Sequence, residues 1–321
     1  MTAAGDAAQD ILWAARSGEI VPSGRTDGWR PRRNVRVAVR TDPPSVSLPV
    51  QLLDPGPDRD PATAIEIRNF RDVGGHPTRD GGRVRRRLLY RSTDLARVDP
   101  ATSEALAGLG IRTIFDLRTQ AERELWPEAD RLPPTVDYVV ADVLGDAPDG
   151  TPAQFLPLLS DRRLIRERFG GGRCDRLFLG RYREFVNLAS ARRAYHRFLS
   201  DLAVPGRLPA IVHCTTGKDR TGWAVAMLQL LVGVAEADVL ADYLASNLEM
   251  EPLQRELAER FGLGDELDLV APMMTVQAAY LDAALDEMRR GFGTLVGYLD
   301  ASLAIGPGTR RRLVATFVEH G

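Results

Sequence analysis

One stretch of the sequence concentrates reactive side chains: His213-Cys214-Thr215-Thr216-Gly217-Lys218-Asp219-Arg220-Thr221-Gly222. A cysteine, five residues and an arginine make a loop of the length that wraps one tetrahedral phosphate. The backbone N–H groups of such a loop form an anion nest. A helix starting near Asp219 would add its positive end to the same point. Gly217 allows a turn that a side chain would obstruct. The planar fork of Arg220 can hold two phosphate oxygens. A free thiol titrates near pKa ~8.5, and a helix N-terminus with nearby cations lowers it. Cys214 is therefore the candidate nucleophile of covalent catalysis. Thr215, Thr216, Gly217 and Lys218 are the candidate phosphate-binding residues. His213 is expected to hold the loop from behind. The Thr221 hydroxyl is expected to hydrogen-bond the sulfur.

Cleaving a phosphoester also needs a proton for the departing oxygen, a contribution of roughly 10²–10⁴-fold. Asp116 is the leading candidate, because it ends a predicted parallel strand, where the sites of α/β folds gather. The alternative is a helix cap or a partner for Arg118. Asp219 is the second candidate, with the N-cap of the next helix as its structural alternative. Asp94 is the third. Lys218 is expected to project from the loop rim toward substrate as a point charge. Cys174 is read as a bystander rather than a resolving cysteine.

The elements around these residues alternate between strand and helix. Residues 65–75 predict a strand and a glycine turn, and 86–92 a short strand. Asp99-Pro100 opens a helix that Gly110 closes. Residues 112–119 and 136–143 read as strands, and 208–214 as a buried parallel strand leading into the loop. Helices are predicted over most of 152–203, broken at 169–175, over 219–247 as a pair, and over most of 251–318. The pattern implies an α/β domain with a mainly parallel central sheet flanked by helices. It spans 64–321, after an N-terminal extension, 1–63. That extension holds a possible short helix (1–17), candidate strands at 35–40 and 46–53, and a linker-like 54–61.

Composition excludes several other classes. The chain has 321 residues and a net charge of −2, so it lacks the basic excess of a dedicated nucleic-acid binder. Lys218 is the single lysine among 42 basic residues. Two cysteines cannot form a disulfide framework and suit a reducing compartment. No metal-ligand pair stands out among the 4 histidines, and no cofactor is expected. The run at 223–234 is too short to span a bilayer and reads as a buried helix. The N-terminus lacks signal-peptide features. The expected location is the cytoplasm, with non-classical secretion left open.

The loop resembles the signature of the protein tyrosine phosphatase superfamily. Its Gly-Lys-Asp-Arg-Thr form is similar to that of the bacterial tyrosine/lipid phosphatase family, typified by a secreted mycobacterial phosphatase. Further elements resemble that family in the same order: Asn69-Phe70-Arg71-Asp72, Leu89-Tyr90-Arg91-Ser92 with Asp94-Leu95, Leu109-Gly110-Ile111, and Asp116-Leu117-Arg118. Ala241-Asp242-Tyr243-Leu244 with Ser246-Asn247, and Gly293 with Gly297-Tyr298-Leu299, complete the likeness over about 65–318.

The resemblance implies a tyrosine phosphatase-like fold, with 152–186 in the position of a helical lid. It implies hydrolysis of phosphotyrosine, and of phosphoserine or phosphothreonine, through a cysteinyl-phosphate. It adds weight to Asp116 as acid. It makes Asn69, Arg71 and Asp72 a loop buttressing the phosphate site, against the alternative of an ordinary charged hairpin. It also links Lys218 to phosphoinositides, so a phosphoinositide or polyol phosphatase is the alternative. A silent phospho-ligand-binding protein is the rival outside enzymology. The expected partner is a phosphorylated protein or phosphoinositide, without nucleic acid or an integral membrane segment; oligomeric state is left open.

Overall fold

A computed structural model of the chain describes residues 65, 67–129, 132–147 and 152–321. The expected helix at 1–17, the strands at 35–40 and 46–53, the linker, and the boundary at Ala64 lie outside the described residues. The strands are β1 Arg71–Asp72, β2 Arg83–Val84, β3 Leu89–Ser92, β4 Thr113–Asp116, β5 Asp137–Val140, β6 Ala210–His213 and β7 Val318–Glu319. The helices are α1 Pro100–Gly108, α2 Gln120–Leu125, α3 Pro152–Phe155, α4 Arg162–Phe169, α5 Arg173–Asn187 and α6 Ala189–Leu202. After β6 come α7 Arg220–Leu231, α8 Glu236–Phe261, α9 Leu267–Met274, α10 Ala278–Phe292, α11 Leu295–Ala301 and α12 Pro307–Phe317.

The central sheet runs in the order β1-β3-β6-β4-β5. Four strands are parallel, and β1 alone is antiparallel to its neighbour β3. The small sheet β2-β7 is antiparallel. The register aligns Ser92, His213 and Asp116 at the carboxyl ends of three adjacent strands. Loops leaving that edge therefore converge, as they do at ligand sites of open α/β sheets.

Strand alternation sorts the core into two faces. Leu89, Phe115 and Val212 join residues of α4–α12 in the larger cluster. Tyr90, Ile114 and Ile211 face Ile65, Leu95 and Leu106 of α1 in the smaller one. Helix α7 is buried along Arg220–Gln229, as the apolar run that begins at Trp223 requires. It follows β6 directly, so the loop between them is anchored by core at both ends.

Several expectations shift. The strand expected from Ile65 shrinks to Arg71–Asp72, because Asn69 adopts a left-handed conformation with φ 56°. Such a residue ends a strand. Helix α8 runs unbroken through Pro252, which forfeits only its own N–H donor. The 152–186 segment is helical, with its break at Gly170–Gly172 between α4 and α5. Asp99 caps α1 by accepting from Thr102 N, and Gly110 follows with φ 67°.

Candidate active site

The loop from Cys214 to Asp219 joins β6 to α7. Its carbonyl groups are held from outside, one after another. Thr215 O accepts from Asp94 N at 3.2 Å. Thr216 O accepts from Asn69 Nδ2 at 3.1 Å, and Gly217 O from Arg91 Nη2 at 2.8 Å. Lys218 O and Asp219 O accept from Gly222 N and Trp223 N at 3.1 and 3.0 Å, opening α7. In a trans peptide the N–H points opposite to the C=O. Tying five carbonyls outward thus turns the N–H groups of residues 216–220 to the inner side, where they form an anion nest. Gly217 makes the turn with φ 64°, and a Cβ there would lie 2.1 Å from Ser92 O. Cys214 begins the loop as a buried, free thiol. The Thr221 hydroxyl, in the first turn of α7, is buried and meets no protein hydrogen-bond partner among the described residues, so the expected bond to the Cys214 sulfur is not formed.

Arg220 is oriented by a carboxylate that carried no family motif, Glu122. Arg220 Nη1 and Nη2 donate to the two Glu122 oxygens, each at 2.7 Å. Glu122 is buried at the start of α2, where it forms a capping box with Thr119 and also accepts from Thr215 Oγ1. Burial alone would raise its pKa; Arg220 and these donors outweigh it and bring it to about 2. The bidentate grip fixes the plane of the guanidinium. The sequence did contain a signal for Glu122, namely Thr119 followed three residues later by Glu before a helix.

Asp116 does not fit the role of acid. Its side chain has no exposed surface, and Arg118 grips both oxygens, with Nη2 at 2.8 Å and Nε at 2.9 Å. The Tyr138 hydroxyl also donates to it. Burial would raise its pKa, but His213, Arg118 and Tyr138 hold it well below the usual carboxylate range. Without exposed surface, Asp116 has no path to a leaving group.

Asp116 belongs instead to a charged cluster behind the loop. His213 Nε2 lies 2.8 Å from Glu128 Oε1, and its Nδ1 lies 3.9 Å from Asp116 Oδ1. Arg118 Nη2 is 3.0 Å from the same Glu128 oxygen. Burial pushes the imidazole down in pKa, and Glu128 and Asp116 outweigh it, raising it to about 9. Asp116, Glu128 and His213 are close enough to hold a metal ion. The Arg118 guanidinium already bridges the two carboxylates, so the place of a cation is filled by a side chain.

Lys218 does not project from the rim. It is buried, with Nζ 2.8 and 2.7 Å from the Asp219 oxygens and 3.1 Å from Thr275 O. The Phe178 ring of α5 lies 5.0 Å from the ammonium. Asp219 keeps 17% of its side chain exposed and also accepts from Tyr182 Oη at 3.0 Å. It heads α7 without a side-chain capping bond. Asn69 bonds the loop and Arg71 bonds Asn69, whereas Asp72 accepts from Gly74 N at 2.7 Å and Arg87 N at 2.6 Å, at a neighbouring turn. Asp94 sits beside Thr215, its carboxyl pushed up in pKa by burial.

The model of the tyrosine phosphatase family matches residues 63–319 of the chain. The chain belongs to the tyrosine phosphatase family. Among its relatives is a Cupriavidus necator protein whose name assigns it provisionally to the tyrosine-protein phosphatases. It is 34% identical over 241 residues, covering 74% of this chain and 82% of that protein. The triple specificity protein phosphatase PtpB of Mycobacterium tuberculosis is 31% identical over 283 residues, 76% of this chain and 95% of its own length. A tyrosine-protein phosphatase of Nostoc commune is 26% identical over 173 residues, 54% of this chain and 52% of its own length.

The arrangement brings together a buried thiol, a ring of amides and an oriented guanidinium. Sequence reasoning missed Glu122, Glu128 and Arg91 as parts of it. It also missed Asp142, half-buried after β5, whose carboxyl burial pushes up in pKa against the pull of Arg123 and Arg220. Among the described residues no helix is long and apolar enough to cross a membrane.

Proposed function

We propose that the chain hydrolyses phosphomonoesters through Cys214. The thiolate attacks phosphorus in line, forming an S–P bond as the P–O bond to the leaving group breaks. Asp219 gives the departing oxygen its proton. Water then attacks the cysteinyl-phosphate and gives a proton back to Asp219, the S–P bond breaks to restore the thiolate, and inorganic phosphate leaves. Arg220 and the amides of 216–220 carry the charge on the equatorial oxygens throughout. The observation that carries this reading is the row of outward-tied carbonyls between Cys214 and an arginine already oriented by Glu122.

Phosphorylated proteins are the proposed substrates, with phosphotyrosine first. The triple specificity in the name of the mycobacterial relative supports a site that accepts more than one class of phosphorylated substrate, and phosphoserine and phosphothreonine are proposed beside phosphotyrosine. Burial of Lys218 against Asp219 leaves no free ammonium there for the extra phosphates of a phosphoinositide, which favours the protein reading over the lipid one.

The test is aryl-phosphate hydrolysis with and without EDTA, followed by phosphopeptides and phosphoinositides at equal concentration. Activity unaffected by EDTA, absent in Cys214→Ser and higher on phosphopeptides is expected. Full activity in Cys214→Ser would refute the mechanism. Asp219→Asn should lose most on substrates with poor leaving groups. An equal loss on all substrates, with the selective loss found in Asp142→Asn or Asp94→Asn, would move the acid there.

A further inference from the structure

Leu89-Tyr90-Arg91-Ser92 has no part in the chemistry above, yet it puts a charge next to the loop. Arg91 lies in β3 with its side chain fully buried. Its Nη2 donates to Gly217 O at 2.8 Å and to Ser246 Oγ at 3.2 Å, and its Nη1 to Asp242 Oδ2 at 3.0 Å. Arg71 of β1 shares the same partner on α8, with Nε 3.1 Å from Asp242 Oδ1 and Nη2 2.8 Å from Asp242 O. Arg71 also bonds Asn69 Oδ1, and Asn69 Nδ2 holds Thr216 O. Two successive loop carbonyls therefore hang on one unit.

That unit has two guanidiniums and one carboxylate, an excess of positive charge behind the loop. Elsewhere around the loop each cation has an acidic partner: Arg220 with Glu122, Lys218 with Asp219, His213 with Glu128, Arg118 with Asp116. Asp94 and the Tyr195 hydroxyl, which donates to Arg220 O at 3.3 Å, complete the ring. His76 acts on Asp242 at longer range, and exposed Glu249 reaches Asn69 N at 3.4 Å. Burial, then the Arg71 charge, brings Arg91 down in pKa to about 10, with Asp242 and Cys214 pulling the other way. Arg91 therefore stays charged at neutral pH.

We propose that Arg91 is a positioning residue of the phosphate site. It fixes the Gly217–Lys218 peptide with its N–H toward the phosphate, and its charge, only half offset by Asp242, stabilises the Cys214 thiolate. The proposal rests on the phosphatase reading.

Its test is the pH midpoint of Cys214 alkylation by iodoacetamide, followed by peptide mass, together with inorganic phosphate affinity from calorimetry. Arg91→Met should raise the midpoint by about one pH unit and weaken phosphate about 10-fold. Arg91→Lys keeps the charge but not the fork, so it should restore the midpoint while phosphate stays weakened. Asp242→Asn leaves both guanidiniums without their carboxylate and should lower the midpoint. A purely structural role would move Arg91→Met and Asp242→Asn in the same direction, and that result overturns the proposal. So does a wild-type midpoint in Arg91→Met. Should Arg91→Met not fold, the direction in Asp242→Asn decides: down supports, unchanged or up overturns. A wild-type chain that neither binds phosphate nor cleaves aryl phosphate would instead refute the phosphatase reading itself.

Discussion

Two buried arginine–carboxylate pairs lie close together at the edge of the sheet, Asp116–Arg118 and Glu122–Arg220. They look alike in residue type and burial. In the first, protein groups take up the whole guanidinium: Asp116 on one edge, Trp126 O at 2.9 Å and Glu128 at 3.0 Å on the others. In the second, Glu122 and Leu117 O hold only the Nη atoms, and Arg220 Nε donates to no protein acceptor among the described residues. A saturated pair can only hold structure together. A pair gripped on one edge presents an oriented cation to something else. On the proposed mechanism, the difference separates a charge that holds the fold from a charge oriented for chemistry, although burial alone would rank them together.

Substitutions that break each pair should therefore fail in different ways. Arg220→Lys keeps a cation beside buried Glu122 but not the planar fork, and should cut kcat/KM by about 10³-fold on aryl phosphates while the melting temperature stays near that of the wild type. Retained turnover would mean that Glu122 holds a structural arginine. Glu122→Gln keeps the shape but loosens the grip, and should cost about 10²-fold in kcat/KM. Asp116→Asn should do the reverse. Leaving Arg118 without its full counter-charge costs about 3–5 kcal/mol, on the order of 10 °C in melting temperature, with kcat within a few-fold of wild type. A large kcat loss at unchanged stability would restore Asp116 as a direct participant.

The pH dependence of stability sharpens the same contrast. His213 is raised in the fold to about 9, so its interaction with Glu128 and Asp116 stabilises fully below its ordinary value of 6.5 and is lost as pH rises through about 9. The melting temperature should fall between those limits, and Glu128→Gln should flatten the fall. Glu122, brought to about 2, contributes above its ordinary 4.5 and loses its contribution only as pH falls toward about 2. A melting temperature flat to pH 10 would show that His213 is neutral. The smallest effect is expected at Lys218. Its amine should acylate more slowly than the chain's terminal amine even without phosphate, because Asp219, Thr275 O and Phe178 enclose it. Equal labelling rates, read by peptide mass, would place it on the rim after all.

Much of the scaffold was legible because it is written locally. Asp99-Pro100 and Gly110 bracket α1, apolar runs mark β4 and β6, and the mainly apolar 223–234 marks the buried α7. The strand expected from Ile65 failed because Asn69 takes its left-handed turn to reach Thr216 O, a contact with a residue far along the chain. Asp116 and Lys218 were misjudged for a related reason. Strand position and loop position were read correctly, but their partners Tyr138, Glu128 and Thr275 come from separate segments. Glu122 was readable only as a cap, since nothing local couples a helix start to an arginine after β6.

The sequence by itself determined the family, the mainly parallel α/β sheet and the candidate phosphate loop, because Cys214, Gly217 and Arg220 define it through spacing and backbone shape within one short stretch. Only the tertiary structure decided which charges are free to act. A carboxylate or guanidinium becomes a site or a strut according to how many partners the fold brings to it, and at Asp116, Glu122, Lys218 and Arg91 those partners arrive from distant parts of the chain.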